Sequence, residues 1–276
     1  MTVSRTICLQ GEPGSGKSMM ACLTAVRQPV HVIDVDRKIE SAAWAAPAIA
    51  DGKLSFWELR EPIDDSNIQA RIRSLVKKEK PSVEPKGWER FTELFYALPK
   101  EEPARSAGTW VVDSLTLLNE HFKTRIMWLA DRSKFTWDQW NALKLGWMDT
   151  FSVMRDLAKE HGKDLIVTVH ERNACEPGDR TTGVRTETVT SPTEGVSTVK
   201  VYQGTQDVKV WASIDGAFGD LIGAQTDEYY WLYVDASDKD TLRWKCRVHP
   251  DGRRNLRTSF RLDKSEFEPD FGKIWK

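Results

Sequence analysis

Short apolar runs recur along the chain, separated by polar, charged or glycine-bearing breaks, and their lengths and spacings predict alternating strands and helices. Thr6, Ile7, Cys8 and Leu9 form the first predicted strand, and 19–26 the first helix. A second strand is predicted over 30–36 and ends in two acids, Asp34 and Asp36; a helix follows over 37–44 and a third strand over 53–57. The apolar stripe Ile68, Ile72, Leu75 and Val76 predicts a helix over 64–78, and a similar stripe predicts another over 87–98. The proline- and charge-rich 99–107 reads as a loop. The run 109–114 is a hydrophobic strand closing on Asp113 and Ser114, followed by helices over 115–130 and 139–161 around a polar loop, 131–137. The apolar run 164–170 predicts a buried strand with His170 at its carboxyl end.

Beyond His170 the pattern changes. From 171 to 207 large apolar residues become scarce and Thr, Ser, Gly, Arg and Pro dominate. Within that stretch 184–190 and 196–202 alternate about 191–195, which predicts an inserted β-hairpin. Three further strands are predicted over 217–222, 228–234 and 241–248, the last two joined by a polar turn. Residues 1–261 read as one domain carrying the 171–207 insertion, and 262–276 as a tail.

The chemistry concentrates in Gly11, Glu12, Pro13, Gly14, Ser15, Gly16, Lys17 and Ser18, which fit G-x-x-x-x-G-K-[S/T] between the first strand and the first helix. Glycines let the backbone curl so that successive N–H groups face phosphate oxygens, and the helix presents its positive end to them. Lys17 supplies a point charge, Ser18 a hydroxyl ligand for Mg²⁺, and Met19 continues the contact surface. An Asp at the end of a buried strand downstream of such a loop, here Asp113, has the form of a Mg²⁺-associated carboxylate.

Composition narrows the setting. Of 276 residues, 40 are Lys or Arg and 41 Asp or Glu, so net charge argues for neither nucleic acid nor membrane as a partner and any polyanion site must be local. Cys8, Cys22, Cys175 and Cys246 form no C-x-x-C pair, which suits reduced thiols better than disulfides or zinc. No apolar run approaches the roughly 20 residues needed to span a bilayer, and no signal-peptide pattern precedes the first strand, so a cytoplasmic protein is expected. The twelve tryptophans read chiefly as packing residues.

With those residues in place, the chain resembles the RecA-like P-loop ATPases, and most closely their phage-encoded, core-only members of the AAA-family or phage nucleotide-binding type, from about Arg5 to about Arg261. Gly11 to Ser18 is similar to the family's phosphate loop, and Val112, Asp113 and Ser114 to its Walker B strand. The resemblance implies an α/β fold with a mostly parallel central sheet flanked by helices, extended by antiparallel C-terminal strands and by the inserted hairpin. It implies ATP and Mg²⁺ as cofactors and ATP hydrolysis as the reaction. The water-activating carboxylate falls on Asp36, where RecA itself has Glu, so Asp34 and Glu58 stay open as alternatives. His170 falls at the position that senses the γ-phosphate; from the pattern alone it could equally face solvent. Lys245 and Arg247 resemble the K-x-R fingers with which one subunit reaches a neighbour's ATP, which implies a homo-oligomer, ring or filament.

The resemblance further implies DNA, chiefly single-stranded, as the macromolecular ligand. Lys134, Phe135 and Trp137 lie where one DNA loop falls in the family, and Arg172, Arg180, Arg185 and Lys200 where the second does; a solvated hairpin is the plain alternative. Recombination, replication or repair in a phage-infected host cytoplasm, with a single-strand-binding protein as a possible companion, would follow. Two other classes keep the same loop: a nucleotide-gated loader or binding module without efficient hydrolysis, and a P-loop kinase, although no acceptor-lid pattern is visible.

Overall fold

The computed structural model of the protein describes residues 4–60, 69, 83–132, 134–173, 184–191, 195–202, 210–214, 218–235, 243–250 and 256–275. Its centre is a sheet in which β3 (Leu54–Glu58), β2 (Val30–Asp34), β4 (Thr109–Asp113), β5 (Asp164–Asn173), β1 (Thr6–Gly11) and β9 (Glu228–Asp235) lie parallel in that order. Antiparallel strands extend it: β10 (Arg243–Arg247) on β9, then β11 (Glu266–Phe267) on β10. β8 (Val210–Ala212) pairs antiparallel with the far end of β5, and β6 (Val184–Ser191) with β7 (Gly195–Tyr202) forms the separate hairpin that the alternation predicted.

β1, β2 and β4 are buried along their whole length, and strands covered on both faces read as unbroken apolar runs, as these do. One face is covered by α3 (Gly87–Ala97), α4 (Leu115–Leu129), α5 (Trp137–Glu160) and α6 (Phe218–Gln225). The opposite face is covered by α1 (Lys17–Leu23), with α7 (Phe271–Ile274) and the residues around α2 (Ala46–Ala50). Trp110 and Trp147 are fully buried and satisfy their indole N–H groups on Ala104 O at 2.9 Å and Asn119 Oδ1 at 2.8 Å, in line with a packing role. Of the stretch expected as a tail, Phe271 and Ile274 are buried in the core on the α1 side.

Two predicted elements are corrected. Of residues 217–222, expected as a strand, 218–222 belong to α6 and 217 lies outside the described residues: Phe218 and Ile222 are one helical turn apart, and Phe218 stacks on Trp147 with ring centres 5.6 Å apart. Residues 37–44, expected as a helix, form turns, because the Asp34 carboxylate accepts the Ile39 N–H at 2.7 Å and holds the chain in a tight loop; the helix begins later, with Pro47 in its first turn. The predicted loop 131–137 is shorter than expected, because Thr136 and Gln139 form a capping box that starts α5 at Trp137. The predicted helix over 64–78 and the strand-linking turn after Asp235 fall outside the described residues, residue 69 excepted.

Candidate functional site

β1 delivers the chain to the phosphate loop beside β9, and Gly11 fills a place no side chain can share: a Cβ there would lie 2.2 Å from Leu232 O. Gly14 and Gly16 hold φ of +81° and +89°, a region glycine enters freely. Glu12, Pro13 and Gly14 are exposed at the crest, Ser15 and Lys17 are buried beneath it, and Ser18 and Met19 stand half-buried in the first turn of α1. Lys17 is 5% exposed, and its ammonium donates to Gly11 O at 2.8 Å and Glu12 O at 2.7 Å. The loop therefore holds its cation folded back on its own carbonyls.

Burial lowers the Lys17 pKa to about 8, against the opposing pull of Asp113. A polyanion arriving in the loop favours the charged form, so binding takes up a proton wherever free Lys17 is neutral. At pH 9 the expected uptake is about 0.9 proton per nucleotide, and at pH 7 about 0.1. Calorimetry of ATP binding in buffers of different ionisation enthalpy measures it, and equal uptake at both pH values would contradict the assignment.

The parallel register brings the acids together. Asp34 and Asp113 are partners at the ends of β2 and β4, with β5 inserted between β4 and the phosphate-loop strand β1. Thr168 of β5 donates to Asp113 Oδ1, whereas Asp113 Oδ2 is buried without a hydrogen bond, 3.5 Å from Lys38 Nζ. Past Asp34 the chain turns over β4: the N–H groups of Val35 and Asp36 both donate to Asp113 O, at 2.7 and 3.2 Å, and Arg37 takes φ 53°. Arg37 thus occupies a left-handed conformation unusual for a residue with a side chain. The turn carries Asp36 and Lys38 into the site. Asp36 Oδ1 accepts the Ser114 hydroxyl at 2.9 Å and Asp36 Oδ2 pairs with Lys38 at 2.8 Å.

This geometry sorts the three carboxylates left open for activating water. Asp34 is fully buried and engaged with Ile39; burial raises its pKa to about 6 although that N–H pulls the other way. Glu58 lies on β3, four strand spacings from β1, or about 19 Å across the sheet. Asp36 alone is carried over the end of β4. Burial would raise its pKa, but Lys38, Ser114 and His170 outweigh that and hold it low, so it is ionised. Lys38, absent from the sequence reading, is held protonated against its own burial by Asp113 and Asp36.

His170 is in register with Gly11, its N–H donating to Thr116 Oγ1 at 2.8 Å. Its imidazole pKa is lowered, first by burial and next by the nearby charge of Lys17, which keeps it neutral. β5 continues past it to Asn173. Lys245 and Arg247 sit on β10 and are ion-paired within the chain, Lys245 with Asp235 at 2.6 Å and Arg247 with Glu266. Trp244, which precedes them on β10 and pairs with Val234, reaches the phosphate loop instead: its Nε1 donates to Gly14 O at 3.2 Å.

The residues assigned to DNA divide. Trp137 is 78% exposed at the start of α5 and Lys134 is exposed beside it, whereas Phe135 packs on Trp140 with ring centres 4.7 Å apart. Arg172 falls on β5, and the hairpin register pairs Arg185 with Val201 and Lys200 with Thr186; Arg180 lies outside the described residues.

Among the described residues no group of three or more His, Cys, Asp and Glu could enclose a metal ion by itself. A divalent ion that keeps several waters and takes the rest of its oxygens from phosphate needs only one or two protein ligands. The open Oδ2 of Asp113 and the hydroxyl of Ser18 are hard oxygen donors that fit Mg²⁺ in that mode. Cys8, Cys22 and Cys246 are buried free thiols whose pKa values burial raises. No described helix is long and apolar enough to cross a membrane.

No family model matches the sequence, and no curated protein matches it. Among solved structures the fold is similar to that of a KaiC-like protein from the archaeon Pyrococcus horikoshii OT3, with 13% identity and a TM-score of 0.42 over 93% of this chain and 82% of that one. It is also similar to the flagellar accessory protein FlaH from Methanocaldococcus jannaschii, with 11% identity and a TM-score of 0.40 over 88% of this chain and 76% of that one. The α/β character of the chain rests on its own sheet, a mostly parallel array with antiparallel C-terminal strands, in which β5 separates the phosphate-loop strand from the strand that ends in Asp113.

Proposed function

We propose that this protein is a Mg²⁺-dependent ATPase that acts on single-stranded DNA as a homo-oligomer, in phage recombination, replication or repair. The observation that carries the ATPase reading is the convergence of Lys17, Lys38, Asp36, Asp113 and His170 at one sheet edge, the edge where ligands bind in open α/β sheets. Lys17 would exchange the carbonyls of Gly11 and Glu12 for phosphate oxygens, which are stronger acceptors for an ammonium. Asp36, fixed by Ser114, would orient the attacking water, and neutral His170 would hydrogen-bond near the terminal phosphate. A bound Mg²⁺ held by Asp113 and Ser18 would neutralise phosphate charge as it shifts.

Trp137 and Lys134 support a DNA contact, since an exposed aromatic beside a cation suits base stacking with phosphate pairing. Lys245 and Arg247 support assembly, as cations on a strand near the sheet's edge that would complete a neighbour's site. The testing experiment is phosphate release from ATP and Mg²⁺ with and without single-stranded DNA across protein concentration. Release that rises with DNA and grows faster than protein concentration is expected; release indifferent to both would remove the DNA and assembly parts. In the same assay Arg247→Ala is expected to keep ATP binding and lose hydrolysis by on the order of a hundredfold, and loss of both together would exclude a role in trans.

One observation favours a second reading, a nucleotide-gated module that hydrolyses poorly: both oxygens of Asp36 are engaged, by Ser114 and Lys38, and its pKa is held low. Tight ATP binding without phosphate release under any of these conditions would select it.

A further inference from the structure

Resting on the nucleotide-binding reading above, we propose that Trp244, with Val234 beside it, forms the platform on which the base of the bound nucleotide stacks. The two residues are directly paired across β10 and β9. They share a sheet face with Cys246 and Leu232, their neighbours at the next pleat, which are fully buried in the core on the α1 side. That apolar strip therefore continues outward: Cys246 and Leu232 are 0% exposed, whereas Trp244 is 43% and Val234 37% exposed. Because β9 aligns Leu232 with Gly11, Val234 lies just beyond the point where β1 gives way to the phosphate loop.

The indole meets the loop by its edge. Its Nε1 donates to Gly14 O at 3.2 Å, and a Cβ on Gly16 would lie 3.3 Å from Trp244 Cδ1. The pyrrole edge is thus spent on the loop, while the residue as a whole remains 43% exposed. An aromatic surface left in water costs free energy that a flat, apolar-faced partner recovers. A nucleotide with its phosphates on the amides around Gly14 and Gly16 must carry its sugar and base out of the loop, and Trp244 borders both glycines. Stacking accepts any base, because every base has a π face. The platform would recognise a nucleoside triphosphate as a class and discriminate weakly between purines and pyrimidines.

The test compares ATP with inorganic tripolyphosphate, which carries the phosphates and no base, by calorimetry on the full chain. Trp244→Ala is expected to weaken ATP about tenfold, to leave tripolyphosphate unchanged, and to be restored in large part by Trp244→Phe, which keeps a ring without the Gly14 hydrogen bond. Equal weakening of both ligands would mean that Trp244 only braces the loop and would overturn the proposal, as would a Phe variant no better than Ala, or an Ala variant that binds ATP normally. A wild-type protein that binds tripolyphosphate and ATP equally well would overturn the base platform while keeping the phosphate site; one that binds neither would remove the nucleotide reading and the platform together.

Discussion

Replacing Lys17 with Ala is expected to weaken ATP binding by on the order of a hundredfold or more, while leaving the thermal midpoint of the free protein close to that of the wild type. The two halves have different origins. In the nucleotide complex a buried ammonium would face phosphate oxygens, and truncating one partner of a buried, hydrogen-bonded charge pair costs about 2–5 kcal/mol. In the free protein the same ammonium is folded onto the carbonyls of Gly11 and Glu12, and those bonds are set against the burial of a charge, a balance visible in the lowering of its pKa to about 8. The two terms offset each other at rest and no longer do so once phosphate arrives. Calorimetry with ATP and with tripolyphosphate, together with thermal melts, checks both halves. A variant that binds ATP within a few-fold of wild type would show that the loop amides alone hold the ligand.

Why some of this could be read from the sequence and some could not follows from the physics of each signal. β1, β2, β4 and the inner part of β5 are buried on both faces, and such strands announce themselves as apolar runs ending at polar residues, which is how Asp113 and His170 were found. The phosphate loop is legible because positive φ and close backbone approach restrict its positions to glycine. Lys38 had no such signature. It reaches Asp36 and Asp113 only because Asp34 ties down Ile39 and Arg37 adopts φ 53°, a tertiary arrangement that no periodicity encodes. The Phe218–Ile222 spacing is compatible with a strand or a helix, and contact with Trp147 and Phe151 decides it. One signal was present and unread: Thr136 and Gln139 stand at capping-box spacing, which starts α5 within the presumed loop and leaves Trp137 on its first turn.

β10 joins the two halves of the functional reading through its alternation. Trp244 faces its own phosphate loop, while Lys245 and Arg247 stand on the opposite face, in ion pairs with Asp235 and Glu266. A strand built this way would place base recognition within one subunit and charge donation toward the next on adjacent residues. Loop occupancy and subunit contact would then be coupled through one rigid element rather than through a long path.

Asp113→Asn should lower Mg²⁺-dependent ATP hydrolysis by on the order of a hundredfold or more, the scale seen when one preorganised electrostatic contact to the reacting groups is removed. The substitution is nearly isosteric. Its amide oxygen can keep accepting the Thr168 hydroxyl, and Lys38 keeps Asp36 at 2.8 Å, so the loop that carries Asp36 stays in place. What disappears is the negative charge on the buried Oδ2, which has no hydrogen bond and is the oxygen best suited to a hydrated Mg²⁺. With the amide oxygen kept on Thr168, the amide nitrogen faces the Lys38 ammonium where Asp113 Oδ2 paired with it at 3.5 Å, so the thermal midpoint of the free protein should fall below that of the wild type. ATP binding measured without divalent ions should change by no more than a few-fold, because the phosphate loop is untouched. The neighbouring Asp34 gives an independent readout: its carboxyl, raised to about 6 first by burial and in part by Asp113, should titrate lower in the variant. Hydrolysis close to wild type in Asp113→Asn, with that downward shift present, would show that the charge is lost and is not needed, and would move metal binding away from β4.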